Sequence, residues 1–366
     1  MQPATATGRA TLIMIALVAG VATPFSFTPA QVTSGLQGTN VTVSGHFDVQ
    51  AVGRNAEVKD NNFTIGQFAL DLTADLNPRV LSAVEIAYGV NDDVRIGQAY
   101  VDWTLYQWNG KPRYNPLGTV SMGVMAGQFD VPFGLDWRDY ASIDRPLVSV
   151  PLVISNTHRG WNDLGVEAHA ALTWANVSVF AVNGFGTSPT LRLPERPAPT
   201  SLIAGSDNIT ASDLIPSEAF GARFGLVMNQ HFEFGTSFAA GYTDKNAQTE
   251  RLFGVDLTGK NESFELKAEF INHQRNRTVA KESVFGYYLQ GMYTINPQWF
   301  AVVRADGFNG DGTEVYPFAL RPTGTMLSTS AGAGYRLHPN AQFRVEYQLA
   351  EGKSNDTVFL QTVVGF

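Results

Sequence analysis

Apolar and polar residues alternate along most of this chain. Val41, Val43, Phe47, Val49 and Ala51 interleave with Thr42, Ser44, His46, Asp48 and Gln50. The same period runs through Phe68–Leu76, Phe264–Phe270 and Phe343–Leu349. A period of two puts one residue type on each face of an extended strand. The pattern predicts about sixteen strands, near 41–54, 62–77, 79–91, 95–108, 119–129, 163–173, 176–185, 218–229, 231–243, 250–259, 263–274, 283–294, 298–306, 325–336, 340–350 and 356–366. No helix-period segment or domain boundary interrupts them.

The connections between these strands are unequal. Every second one is short, as at Asn77-Pro78-Arg79, 173–176, 229–232, 259–263, Asn296-Pro297 and 338–340, with 109–118 the longest of the set. The intervening ones, 129–162, 186–217, 243–250, 274–283 and 307–324, are long and polar. Short turns on one rim and long loops on the other mark a transmembrane antiparallel β-barrel. A soluble sandwich buries its two apolar faces against each other and needs no such asymmetry. The third long connection, 129–162, has 34 residues. Its apolar residues Pro132, Phe133, Leu135, Leu147, Val148, Val150 and Leu152 predict that it packs into the lumen, because a disordered loop is poorer in such residues. The run Asp306-Gly307-Phe308-Asn309-Gly310-Asp311-Gly312 reads as a tight Gly-Asn turn, since it lacks the spacing and closing glutamate of a calcium loop.

The ends of the chain read as addresses. Leu12–Ala22 is an 11-residue apolar run behind a lone Arg9. That length suits a signal peptide and falls short of a membrane-spanning helix. Cleavage is predicted after Ala30, with Gly20-Val21-Ala22 as an earlier alternative. The organisation is then a signal peptide over 1–30 and a barrel over 31–366. At the other end Val358, Leu360, Thr362, Val364 and Phe366 share a face, and this terminal strand resembles the assembly signal of bacterial outer-membrane proteins. Phe366 is therefore expected to be read by the barrel-assembly machinery. Aromatics near strand ends (Tyr88, Trp103, Trp174, Phe232, Tyr242, Tyr293, Trp299 and Tyr335) suit interfacial girdles in outer-membrane lipid.

Composition removes other classes. There is no cysteine, so disulfides and cysteine metal sites are excluded. The formal net charge of −8 argues against nucleic acid as a partner. The six histidines have no metal-ligand spacing, and no hydrolase elbow, zinc helix or phosphate loop is present. No catalytic residue, metal or cofactor is expected.

Several segments resemble the phosphate-selective porin O/P family of bacterial outer-membrane porins. Ala126-Gly127-Gln128-Phe129-Asp130-Val131-Pro132-Phe133-Gly134-Leu135 matches its GQF…PFGL pattern, and Ile143-Asp144-Arg145-Pro146-Leu147-Val148 its arginine-containing segment. Asp163-Leu164-Gly165-Val166 and Val182-Asn183-Gly184-Phe185-Gly186 match further strand ends. The resemblance implies sixteen strands, a homotrimer and a third loop folded into the pore. One departure bears on selectivity. The chain beyond residue 30 has seven lysines, none of them in 129–162, so phosphate selectivity is not carried over.

With the apolar face toward lipid, the other face lines the lumen. The ionisable residues it would carry are Asp71, Asp75, Glu85, Asp102, Glu233, Asp256, Glu265, Glu269, Asp306 and Glu346 against Arg223, Lys267, Arg304 and Arg344. From these the pore-wall candidates are Asp71, Asp75, Asp102, Arg223, Lys267, Arg304 and Arg344. The constriction-loop candidates are Asp136, Arg138, Asp139, Asp144, Arg145 and Arg159. Either set also reads as plain structure: a charged strand face is ordinarily a solvated one, and Asp144 and Arg145 equally suit pins between loop and wall. The sequence thus points to a passive outer-membrane channel for small hydrophilic solutes or ions, with a weak cation preference or near-neutrality, since the loop arginines Arg138, Arg145 and Arg159 oppose the acidic wall. The alternatives are a substrate-specific channel for phosphate, a sugar or an organic acid, with aromatics such as Tyr100 and Tyr288 holding the solute, or a non-channel barrel serving as enzyme or adhesin.

Overall fold

The structure, a computed structural model, describes residues 30–33, 40–54, 63–88, 94–108, 119–185, 218–229, 231–242, 249–276, 281–311, 314–315, 319–320, 323–350 and 356–366. Its strands are β1 (Ala30–Thr33), β2 (Asn40–Arg54), β3 (Phe63–Asn77), β4 (Val80–Tyr88), β5 (Val94–Trp108), β6 (Val120–Asp130), β7 (Asn162–Leu172), β8 (Ala175–Val182), β9 (Ala219–Asn229) and β10 (Phe232–Tyr242). They continue with β11 (Thr249–Lys260), β12 (Phe264–Asn276), β13 (Lys281–Thr294), β14 (Trp299–Asp311), β15 (Glu314–Val315), β16 (Ala319–Leu320), β17 (Thr323–His338), β18 (Ala341–Ala350) and β19 (Thr357–Gly365). Two short helices, α1 (Asp136–Asp139) and α2 (Leu152–Thr157), lie between β6 and β7.

Sixteen of these strands, β2–β14 and β17–β19, pair antiparallel with their chain neighbours, and β19 returns to β2 to close the barrel. Closure removes the exposed sheet edge that would otherwise template aggregation. Where β19 ends, at Gly365 opposite His46, β1 takes over and pairs Ala30–Thr33 with Val43–Asn40. The predicted leader lies outside the described residues as far as residue 29, and Ala30 is the first residue of β1. The Phe366 ring lies against Gly45 on β2, and the two residues exchange backbone hydrogen bonds of 2.9 and 3.1 Å.

Four of the short turns share one device. Asn77, Asn229, Asn261 and Asn296 each accept, through Oδ1, the backbone N–H two residues on, at 2.9, 2.7, 3.0 and 2.9 Å. Such Asx turns reverse the chain without long connections. One sequence expectation is corrected: 306–311 is not a turn but the end of β14, paired with Ser328–Thr323. Gly307 sits where a neighbour needs room, since the Tyr287 ring on β13 covers it.

The barrel is inside-out relative to a soluble protein. Large apolar residues face outward and stay exposed, among them Phe47, Val101, Val166, Phe234, Phe253 and Val303. Trp103, Trp174, Tyr242, Tyr293 and Trp299 are also exposed near strand ends, and Trp299 stacks on Tyr335 with ring centroids 4.7 Å apart. An apolar belt with aromatic margins on a closed barrel is the surface of a membrane-spanning protein. The buried apolar cluster instead lies inside, where Phe133, Leu135, Val153, Ile154 and Trp161 pack on Phe180, Leu252, Ile271 and Phe308 of the wall.

Candidate pore constriction

The segment between β6 and β7 turns into the barrel at both of its ends. The Val131 N–H donates to the Trp161 carbonyl at 2.8 Å, clamping the two ends together. Phe133 is fully buried, edge-on to His158 with centroids 5.0 Å apart. Trp161 packs on Phe180 and Phe185 at 5.8 and 4.8 Å. Gly134 turns at φ 60° and Gly160 at φ 58°, a region that favours glycine. Space is also lacking there, since a Cβ on Gly134 would run into the Glu269 carboxylate and one on Gly160 would lie 2.6 Å from the Tyr140 ring. The Gly134 N–H donates to Ser237 Oγ at 3.0 Å and the Leu135 N–H to Glu269 Oε1 at 3.1 Å.

From here the loop follows the wall. Asp136 turns back into the loop and accepts the Gly160 N–H at 2.6 Å, and burial raises its carboxyl above the usual carboxylate range. Burial also pushes the His158 imidazole down to about 3, so it is neutral, with Nδ1 2.9 Å from Thr157 Oγ1. Arg138 reaches Glu233 on β10 at 3.0 Å, and Lys267 on β12 donates to Asp139 at 2.8 Å. Residues 140–145 cross to the seam side. There the Ser142 N–H donates to Gln67 Oε1 on β3 at 2.6 Å, while Gln342 and Arg344 on β18 donate to the carbonyls of Ile143, Ser142 and Arg145. Glu346 accepts the Val148 and Ser149 N–H groups at 2.7 and 2.8 Å as well as the Ser149 hydroxyl. Arg304 on β14 donates to Ser149 and is paired with Asp306 at 2.8 Å. The Leu152 N–H ends the run on Asp306 at 3.1 Å, and α2 rests against β12–β14.

All seven pore-wall candidates lie on inward-facing positions, but they meet different surroundings. Arg223, Arg304 and Arg344 are covered by the loop, with Arg223 held by Asp256 and Glu233. Lys267 is bound between Asp139 and Glu265. Asp71 and Asp102 are half-buried, and Asp75 is exposed near the short-turn rim. Of the loop candidates, Arg138 and Asp144 are exposed, Asp139, Arg145 and Arg159 are half-buried, and Asp136 is buried. Tyr288 is buried beneath the loop and Tyr100 is half-buried on the uncovered wall.

Other residues of the site were missed by a census of ionisable candidates. Gln67, Ser149, Ser237 and Gln342 anchor the loop through uncharged polar atoms; for Gln67, Ser237 and Gln342 the strand period alone marks the inward face. His169 and Glu167 on β7 also face the lumen. His169 Nε2 lies 3.0 Å from Asp102 Oδ1, and Glu167 bonds Ser178. Asp71 stands directly opposite Glu85 on β4 and shares a hydrogen bond with it.

No protein-family profile and no curated protein matches this chain. Solved structures do. The outer-membrane channel DcaP of Acinetobacter baumannii aligns with TM-score 0.62 and 12% identity over 92% of this chain and 100% of its own. An anion-selective porin from Comamonas acidovorans gives 0.61 and 10% over 90% and 100%. OmpT of Vibrio cholerae, an outer-membrane protein solved in a trimer form, gives 0.57 and 10% over 90% and 99%. At such identities the likeness speaks to the fold. The closed sixteen-strand count, the apolar exterior and the inward loop agree with it, and the chain has the fold of the bacterial outer-membrane porins.

Proposed function

We propose that this protein is a passive outer-membrane porin, a water-filled channel for small hydrophilic solutes or ions, with no catalytic step. The observation that supports this reading is the 131–161 segment, which lies within the barrel and is tied to inward side chains from β3 round to β10. Such a loop narrows the lumen without a bound cofactor. Flux is then set by the gap between the loop and the uncovered wall of β4–β7, and by the charges along it.

Those charges favour cations modestly. Asp71 and Asp102, both half-buried, are held by a carboxyl and an imidazole rather than by a guanidinium or ammonium group. The basic residues of the opposite wall are already paired or covered. The family resemblance is not extended to phosphate. Single-channel recording in a planar bilayer tests the reading. Steady ohmic conductance with reversal potentials weakly toward potassium is expected; an absence of steady conductance from correctly assembled protein overturns the channel.

The same reading includes export and assembly. Residues 1–30 serve as the signal peptide, and Phe366, seated against Gly45 at the barrel seam, is the feature read by the assembly machinery. The trimeric form of one structural neighbour and the family resemblance support a homotrimer. The outer face of β2–β8 carries fewer exposed aromatics (Phe47, Phe63, Trp103, Tyr106 and Trp174) among its aliphatic residues than the Phe-rich face of β9–β13, and so suits contact between copies better. Cross-linking across β2–β8 should yield trimers, and cross-linking across β9–β13 should not.

A further inference from the structure

On the uncovered wall an imidazole reaches across a whole strand to a carboxylate. Asp102 stands on β5 and His169 on β7, and β6 runs between them. His169 Nε2 nevertheless lies 3.0 Å from Asp102 Oδ1. Gly123 makes the crossing possible. It is the β6 residue paired with His169, and a Cβ on it would lie 2.6 Å from both Cε1 and Nε2 of the ring. A side chain at 123 would push the imidazole off Asp102. Glycine weakens a strand and marks a place where another group comes close. Here that group is the His169 ring, and both it and Asp102 keep contact with water.

The charges around the pair leave His169 as the group that can turn positive there. Arg95, at the long-loop end of β5, is the one lysine or arginine in β3–β8. The titratable neighbours on the same two strands, Tyr100 and Glu167, carry no positive charge in any state. On the far side Ser178 of β8 lies opposite His169, and Arg223 of β9 lies opposite Ser178. Arg223 is met by Asp256 and Glu233, and Arg138 of the loop is bound to the same Glu233. On the β3 side the wall carries a second titratable pair, Asp71 and Glu85, which share a hydrogen bond. Histidine is the side chain that ordinarily changes charge between pH 5 and 8.

We infer that His169 is a selectivity-determining residue of the channel, and that it makes the ion preference of the uncovered wall depend on pH. This rests on the porin reading above. With His169 uncharged, its N–H donates to Asp102 and the pair carries one negative charge toward the lumen. With His169 protonated, the pair is an ion pair of no net charge, and permeating cations lose one of the few carboxylates on this wall. Gly123 positions the ring for this role.

Reversal potentials of the assembled channel in dilute potassium chloride gradients, at about pH 8 and about pH 5, test the inference. The potassium-to-chloride permeability ratio of the parent should fall by about 1.5-fold on acidification. His169→Gln should remove that fall apart from what the Asp71–Glu85 pair adds. Asp102→Asn should start from a lower ratio and still fall, because protonated His169 then adds a positive charge with no carboxylate to cancel it. A parent ratio that holds across this range, or a His169→Gln channel that falls as far as the parent, overturns the inference and leaves the channel reading standing. If His169→Gln does not assemble, Asp102→Asn decides, since a ratio in that channel that does not move with pH overturns the inference too. No steady conductance at either pH overturns the channel reading, and the inference with it.

Discussion

From Arg223 on β9 round to Glu346 on β18, the charged inward side chains Arg223, Asp256, Glu269, Arg304, Asp306, Arg344 and Glu346 are buried and held by opposite charges or by polar groups of the loop. Arg223 and Asp256 are each 1% exposed in their side chains, and Arg304 and Asp306 are 1% and 0%. On β3–β7 part of the inward charge stays in reach of water: Asp71 is half-buried, and Asp102 and His169, 3.0 Å apart, are each 29% exposed, whereas Glu167 is buried. Both arcs belong to one sheet with one alternation of residues, and the difference is the loop laid over the first. A charge under the loop is spent on holding it, through N–H groups, hydroxyls and opposite charges. A charge facing open water remains available to bias ions. Counting all inward charges together, ten acids against four bases, therefore mixes structural with permeation charges.

Removing the cover is the largest way to break this difference. Deleting residues 136–146 takes away the crossing segment while leaving the apolar base at Phe133 and Trp161. Conductance of the assembled channel should rise several-fold. Its cation preference should also weaken, because Arg344 and Lys267 lose their loop partners and face water. Planar-bilayer recording under a potassium chloride gradient reads both. Unchanged conductance with normal assembly would show that the loop does not control the path.

The two arcs should also differ in what a lost partner costs. Arg304→Leu leaves the Asp306 carboxylate buried beside the Leu152 N–H with its charge uncompensated, a change that typically costs about 3–5 kcal/mol. Asp102→Ala removes a half-exposed partner of His169, worth about 0–1 kcal/mol. The temperature at which the heat-modified band appears on electrophoresis should fall clearly for the first and barely for the second. Equal shifts would erase the distinction between the arcs.

Acid probes the cover from within. His158 is neutral in the folded loop, held at about 3 by burial, against roughly 6.5 for a free imidazole. The unfolded or detached loop therefore binds more protons than the seated one between those values. The stability this neutral imidazole permits is complete above about pH 6.5 and is lost as pH falls toward 3, by about 3 kcal/mol at pH 4. Asp136 and Asp139 run the other way: burial raises both, so each takes up its proton in the folded loop before the unfolded one and disfavours folding less in acid. His158→Gln isolates the imidazole. The parent should lose stability relative to this variant between pH 7 and pH 4, and parallel pH profiles would contradict a buried neutral His158.

The period-two pattern made the barrel legible because lipid and water demand opposite faces on every strand. The inward path of the loop was legible too, in Phe133, Leu135, Leu147 and Val150, apolar residues with no lipid to meet. What the pattern does not distinguish is Arg304 from Asp102. Both stand at polar positions of alternating strands, and only the landing place of a segment more than 150 residues away from Arg304 decides that one is covered. The end of β14 was hidden for a related reason, since Gly307 makes sense only beside the Tyr287 ring of the next strand. Local pattern reports what a residue faces in general, and long-range packing decides what covers it.

The smallest effect concerns the wet arc itself. Asp71→Asn with Asp102→Asn removes two carboxylates without changing the size of the path. The potassium-to-chloride permeability ratio should fall by about two-fold or less, because salt screens wall charges within about 8 Å at physiological ionic strength. The change should be largest in dilute salt and fade as salt rises. Replacing a covered acid is the matching control. Asp256→Asn loosens Arg223 and lowers thermal stability, but it should leave the permeability ratio where it was, since its charge does not reach the open path. Arg138 and Asp144 are exposed on the loop itself, and fixed charges act most strongly in a confined, low-dielectric passage. If Arg138→Gln shifts the ratio further than both wall substitutions together, the loop rather than the uncovered arc sets selectivity, and the wall charges only tune the approach.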